Sequence, residues 1–197
     1  MDKVKKYVNV YTEANPNPNS LKFVVNYMLA PDGASFDFPS KESAAEVPLA
    51  EELFSTFDFV ERVFIAANFI TVTKSQEAQW EVIAREIKLH IQAYLEDDKP
   101  VFSQQFVSKN SIQIDINDSE AVKKIKGILD EYIRPAVETD GGAISFHSFD
   151  EASGLVKVLL QGSCSGCPSS TVTLKAGIEN LLKRMVPEVR EVVAEGM

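Results

Sequence analysis

Residues 154–170 read G-L-V-K-V-L-L-Q-G-S-C-S-G-C-P-S-S. The first eight form an apolar, β-branched run broken by Lys157 and Gln161, as in a strand with one buried face. A Gly/Ser-rich turn follows and holds both cysteines of the chain, Cys164 and Cys167. Pro168 then suits the first turn of a helix. Upstream, A-I-S-F-H-S-F at 143–149 pairs with the quoted strand as an antiparallel hairpin through D-E-A-S-G. Downstream, Leu174, Ile178, Leu181 and Met185 share one helical face, and Glu179 with Lys183 makes a surface pair. Pro187 stops that helix, and V-R-E-V-V-A closes the chain as a strand. A further helix precedes the hairpin, over Asp118–Ile133, with Val122, Ile125, Leu129 and Tyr132 on one face. Asn117 is placed to cap it, with Glu120 reaching back, and Arg134-Pro135 ends it. The order αββαβ is that of an α+β domain with its helices on one face of a small sheet.

The N-terminal half has the same class by different means. V-N-V-Y-T and L-K-F-V-V-N-Y-M-L read as strands around the turn cluster A-N-P-N-P-N-S. Phe36 and Phe38 mark a short third strand, and Pro48 opens a helix with Leu49, Leu53 and Phe54. E-R-V-F-I-A and F-I-T-V-T-K form two more strands joined at Ala67-Asn68. The helix from Glu77 to Leu95 carries Trp80, Ile83, Ala84, Ile87, Ile91, Tyr94 and Leu95 on one stripe. The chain of 197 residues therefore divides into two small α+β domains, residues 1–96 and 118–197. Residues 97–117 are mostly polar without helical period and are expected to be the linker, with Val101-Phe102 and I-Q-I-D-I available to dock.

The net charge is −9, and both halves are acidic. Nucleic-acid and anionic-membrane partners are therefore not expected, since both require clustered Lys and Arg. There is no apolar run long enough to span a bilayer. The first residues show neither a secretory nor an Arg-rich transit pattern, and two cysteines do not make a disulfide framework. A reducing cytoplasm is the expected location.

Two thiols three residues apart, between a strand and a helix, admit several chemistries. Helix-start N–H groups favour thiolate, and Gly162, Gly166 and the serines around them leave room for a ligand. A partly open thiolate pair is expected. Incidental cysteines are usually set in apolar runs, unlike these. A thiol–disulfide oxidoreductase would use the same C-x-x-C as a Cys164–Cys167 disulfide, normally after a strand of a βαβ unit. Metal or iron–sulfur ligation needs about four ligands. His90 and His147, the only histidines, fall in regular elements where a structural imidazole is the plainer reading. One chain cannot complete a four-thiolate site, but two copies meeting at this loop can, with iron–sulfur cargo or with a structural zinc.

Longer stretches narrow the choice. I-L-D-E-Y-I-R-P-A-V-E-T-D-G-G, V-K-V-L-L-Q-G-S-C-S-G-C-P-S-S-T-V-T-L-K-A-G-I-E-N-L-L and P-E-V-R-E-V-V resemble the Nfu type of NifU-like C-terminal domain. T-E-A-N-P-N-P-N-S-L-K-F, L-A-E-E-L-F and F-I-T-V-T-K, with Trp80 downstream, resemble the Nfu N-terminal domain. The resemblance implies an iron–sulfur cluster scaffold or carrier, not an enzyme. Cys164 and Cys167 would be the ligands, and a [4Fe-4S] cluster would be shared by two subunits, although by count [2Fe-2S] would fit too. The implied partners are apo iron–sulfur target proteins, cluster assembly proteins and a second copy of the chain. Asp140, Gly141 and Gly142 match the family's D-G-G, which reads here as a helix-to-strand turn.

Overall fold

The computed structural model describes residues 6–31, 33–109, 118–166 and 168–196. Its contacts divide the chain into two units, Met1–Ile112 and Gln113–Met197. The first unit holds five antiparallel strands: β1 (Val10–Ala14), β2 (Ser20–Val25), β3 (Ser35–Phe38), β4 (Val60–Ala66) and β5 (Phe69–Lys74). Their spatial order is β1-β2-β5-β4-β3. The turn cluster between β1 and β2 is built from side-chain acceptors. Asn15 Oδ1 accepts from the Asn17 amide at 3.1 Å and from Ser20 Oγ at 2.9 Å, and Asn17 Oδ1 accepts from the Asn19 amide at 3.0 Å. The indole of Trp80 donates to the Pro18 carbonyl at 3.0 Å and ties this loop to a helix.

That helix is α2 (Trp80–Glu96), which packs with α1 (Pro48–Thr56) on one face of the sheet. Phe23, Val25, Val63, Ile65, Ile70 and Val72 meet Leu49, Leu53, Ile83, Ile87, Ile91 and Leu95 there, all buried. The expected stripe is the packed one. The helix begins at Trp80 rather than Glu77, because Gln79 is extended at φ −120° and ψ 127°.

Residues 97–109 differ from the linker expected of them. Residues 104–109 form the short helix α3 (Gln104–Lys109), and Val101, Phe102 and Phe106 pack against the first unit's core. Phe36 meets Phe102 and Phe106 edge-on at 4.9 and 5.0 Å, and the latter two stack at 5.5 Å. The Tyr94 hydroxyl donates to the Pro100 carbonyl at 2.8 Å. Burial, and secondarily the Glu52 carboxylate, pushes its pKa up to about 12, so it stays protonated as the donor. Two aromatic rings four residues apart, Phe102 and Phe106, dock the segment against Phe36. I-Q-I-D-I and Asn117 lie outside the described residues.

The second unit opens with one long helical segment in three parts. α4 (Glu120–Ile128) is capped by Ser119, whose side chain accepts from the Val122 amide at 3.4 Å. A π turn, Leu129–Ile133, follows, and then α5 (Arg134–Thr139). The expected stop at Arg134-Pro135 does not occur. The π turn redirects hydrogen bonding, with the Arg134 amide donating to Leu129, and Pro135 then falls in the first turn of α5 where no donor is required.

β6 (Gly142–Asp150) and β7 (Leu155–Gly162) form the expected hairpin, and α6 (Pro168–Met185) leads to β8 (Glu191–Gly196). β8 pairs with β7 in parallel, so β7-α6-β8 is a crossover unit. Val156, Val158 and Leu160 on β7 are buried beneath the helices with Ile125, Val137, Ile178 and Leu182. A bulge between Phe146 and Ser148 resets the alternation, so Phe146 and Phe149 both reach this core. Glu179 pairs with Lys183 as expected and also accepts from the Val192 amide at 3.2 Å, fastening β8 to α6.

Phe106→Ala is expected to destabilise the first unit by about 1–3 kcal/mol through loss of the aromatic cluster. Trp80 is the chain's single tryptophan, so urea unfolding followed by its fluorescence reads that unit directly.

Candidate metal centre

The cysteine turn is held where three elements end. β7 finishes at Gly162, whose φ of 65° lets the chain turn sharply into a 3-10 turn, Ser163–Gly166. Cys164 lies on that turn, and Cys167 lies outside the described residues. Opposite it, α5 gives way to β6 through Asp140 and Gly141, the latter at φ 75°. D-G-G is therefore a helix-to-strand turn, and it does more than reverse the chain. The Ser163 amide donates to the Gly141 carbonyl at 3.3 Å, and the Ser163 hydroxyl donates to the Asp140 carbonyl.

Gly142 pairs with Gly162 at the start of the ladder. A Cβ on Gly142 would stand 2.6 Å from the Gln161 carbonyl oxygen and 2.9 Å from Cys164 Sγ. The thiol thus occupies the space that any other residue at 142 would fill. On the other side, a Cβ on Gly196, at the end of β8, would stand 2.9 Å from the Ser165 carbonyl oxygen. Two glycines from the two outer strands thus clamp the turn. Cys164 is 4% exposed and belongs to the same core cluster as Val137, Leu160 and Ile178. The partly open thiolate expected from sequence is not what the structure holds at 164. The 3-10 turn winds inward, and the Ser163 hydroxyl, which donates to the Asp140 carbonyl, lies 3.8 Å from Cys164 Sγ.

The surroundings also differ in one respect that bears on chemistry. The expected antiparallel hairpin precedes the turn, and the turn also sits at the strand-to-helix corner of a parallel β-α-β unit formed with β8. A single helix suffices for the crossover. His90 is structural: Nε2 lies 3.1 Å from Glu52 Oε1, off the angle for a hydrogen bond, and the ring meets Phe57 edge-on at 5.4 Å. His147 is the exposed bulge residue of β6, about 16 Å along the strand from Gly142 at ~3.3 Å per residue. Among the described residues no three His, Cys, Asp or Glu side chains converge on one point. No helix among them is long and apolar enough to cross a membrane.

Gly142→Ala is expected to cost about 1–3 kcal/mol, because the new methyl meets backbone on one side and the Cys164 sulfur on the other. Urea denaturation followed by far-ultraviolet circular dichroism measures the loss.

Two family models match the chain in sequence order. Residues 10–98 match "Scaffold protein Nfu/NifU N terminal" and residues 125–193 match "NifU-like domain". NifU-like protein 4, mitochondrial, of Arabidopsis thaliana is 43% identical over 187 residues, covering 94% of this chain and 65% of that protein. NifU-like protein 5, mitochondrial, of the same plant is 41% identical over 187 residues, covering 94% and 67%. The NFU1 iron-sulfur cluster scaffold homolog, mitochondrial, of Drosophila willistoni is 40% identical over 190 residues, covering 95% and 64%. The chain thus spans about two thirds of the length of these relatives. Their mitochondrial names overturn the cytoplasmic location expected from sequence. A low cysteine count indicates reducing conditions, and more than one compartment provides them. With both models matched in order and this identity over nearly its whole length, the chain belongs to the Nfu family of NifU-like proteins.

Proposed function

We propose that this chain is an iron–sulfur cluster carrier, not an enzyme, that holds a [4Fe-4S] cluster between two copies of itself and passes it to apo target proteins. The ligands in this reading are Cys164 and Cys167 of each copy. The observation that carries it is the ligand count. The chain has two cysteines, three residues apart in sequence, and an iron–sulfur cluster calls for about four thiolates. A second copy supplies the missing pair with the same geometry by symmetry. Soft thiolates suit iron and sulfide, and the glycines around the turn allow backbone N–H groups to approach a bound cluster. The names of the relatives, which include an iron–sulfur cluster scaffold homolog, support the same reading.

The cluster here is cargo. A site completed only by dimerisation is opened by separating the subunits, which suits transfer to apo proteins and to or from assembly proteins. The first unit offers no cysteine of its own, so its role in this reading is contact with those partners.

Anaerobic reconstitution with iron and sulfide tests the proposal. The expected product is brown, with about two iron and two acid-labile sulfide per chain. Cys164→Ser and Cys167→Ser are each expected to abolish stable loading, and chelation of iron is expected to return the colourless chain. Zinc in place of iron in anaerobically purified protein would favour a zinc-bridged dimer. Catalytic reduction of small disulfides without iron would favour a thiol–disulfide oxidoreductase, a chemistry that the β-α-β corner accommodates.

A further inference from the structure

A cluster shared by two chains requires Cys164 Sγ to reach beyond its own chain, yet the thiol is buried in its own core. The cysteine turn must therefore open for loading, and the structure identifies what closes it. Gly141 and Gly162, at φ 75° and 65°, bracket the closure as two pivots whose backbones sit in the region open to glycine. Between them, Ser163 joins the turn to the end of α5 through its amide to the Gly141 carbonyl and its hydroxyl to the Asp140 carbonyl. Ser163 is itself only 3% exposed, and Cys164 follows it directly into the core. Exposing Cys164 requires breaking both bonds that hold Ser163 at the end of α5, the one to Gly141 and the one to Asp140.

We propose that Ser163 is the positioning residue of this site: its hydroxyl, bonded to the Asp140 carbonyl, latches the cysteine turn and keeps the Cys164 thiol covered until a cluster is loaded. The purpose of the latch rests on the carrier reading, but its geometry does not. Covering Cys164 protects a thiol that would otherwise meet oxidants or stray metal in the cluster-free chain. The glycine contacts fit Cys164 and Ser165 into place sterically, whereas the bond from the serine hydroxyl to Asp140 is polar and can be broken and remade.

Alkylation of the full, reduced, cluster-free chain with iodoacetamide tests this, with peptide mass spectrometry scoring Cys164 and Cys167 separately. In the wild-type chain, Cys164 is expected to react roughly 100-fold or more slowly than in the urea-unfolded chain, as for a group exposed only by local opening. Ser163→Ala is expected to speed Cys164 about fivefold, the factor that one net hydrogen bond supplies, and to leave Cys167 within about twofold. Val158→Ala, which loosens the same core without touching the latch, is expected to speed Cys164 only as far as it lowers global stability in urea. An unchanged Cys164 rate in Ser163→Ala, or an equal rise at both cysteines, overturns the latch. Should Ser163→Ala not fold, the wild-type comparison decides: a Cys164 rate equal to that of the unfolded chain overturns it. No cluster is needed for any of these readouts, so the latch can fail while reconstitution succeeds, and the reverse.

Discussion

Cys164 Sγ lies where a side chain on Gly142 would be, and the second unit is arranged so that this close approach is possible. α5 must end at Asp140 for Gly141 to turn the chain, and β6 must begin at once so that Gly142 pairs with Gly162. The bulge at His147 then resets the strand so that both Phe146 and Phe149 still reach the core. The π turn over Leu129–Ile133 lets the helical segment pass Pro135 and reach the cysteine turn. A helix stopped at Arg134, as its proline first indicates, would not carry a carbonyl to Ser163.

The first unit spends its sequence differently. Its sheet is fully antiparallel, its helices cover one face, and the two phenylalanines of its tail, Phe102 and Phe106, fold back on Phe36 and Phe38. Two ties fix its irregular parts, Trp80 to the Pro18 carbonyl and Tyr94 to the Pro100 carbonyl. Each uses an aromatic body in the apolar layer and a polar tip on backbone, so one residue anchors both a helix and a loop.

Much of this was legible in the sequence because it follows from periodicity. The stripe from Ile83 to Leu95, the alternation along β7 and the turn at Ala67-Asn68 are patterns that sterics and burial impose locally. What was not legible depends on partners far along the chain. Phe106 looks like a residue of a polar linker until Phe36 is beside it, and Ser119 makes the cap seen at α4. Parallel pairing of β8 could not be read from a short apolar strand alone. At the candidate site, residue type and spacing singled out the two cysteines but not the burial of Cys164. The Gly/Ser composition of residues 162–166 signals an open loop, and only the approach of Gly142 and Gly196 from other strands closes it. Gly196 and Ser163 were missed as site residues, since a glycine near a strand end and one serine among several carry no distinguishing local signal.

The ligand count and the burial of Cys164 pull in opposite directions, and a shared, transferable cluster reconciles them. In the proposed reading, a chain with two thiols completes a cluster only with a second copy, and Cys164 is exposed for that purpose only when its turn opens. Native mass spectrometry of the anaerobically reconstituted protein tests the sharing most directly. The shared arrangement is expected to give one dominant cluster-bearing species, with the mass of two chains plus a single [4Fe-4S] cluster, that falls to monomer when the cluster is removed. A cluster-bearing species with the mass of one chain would contradict it.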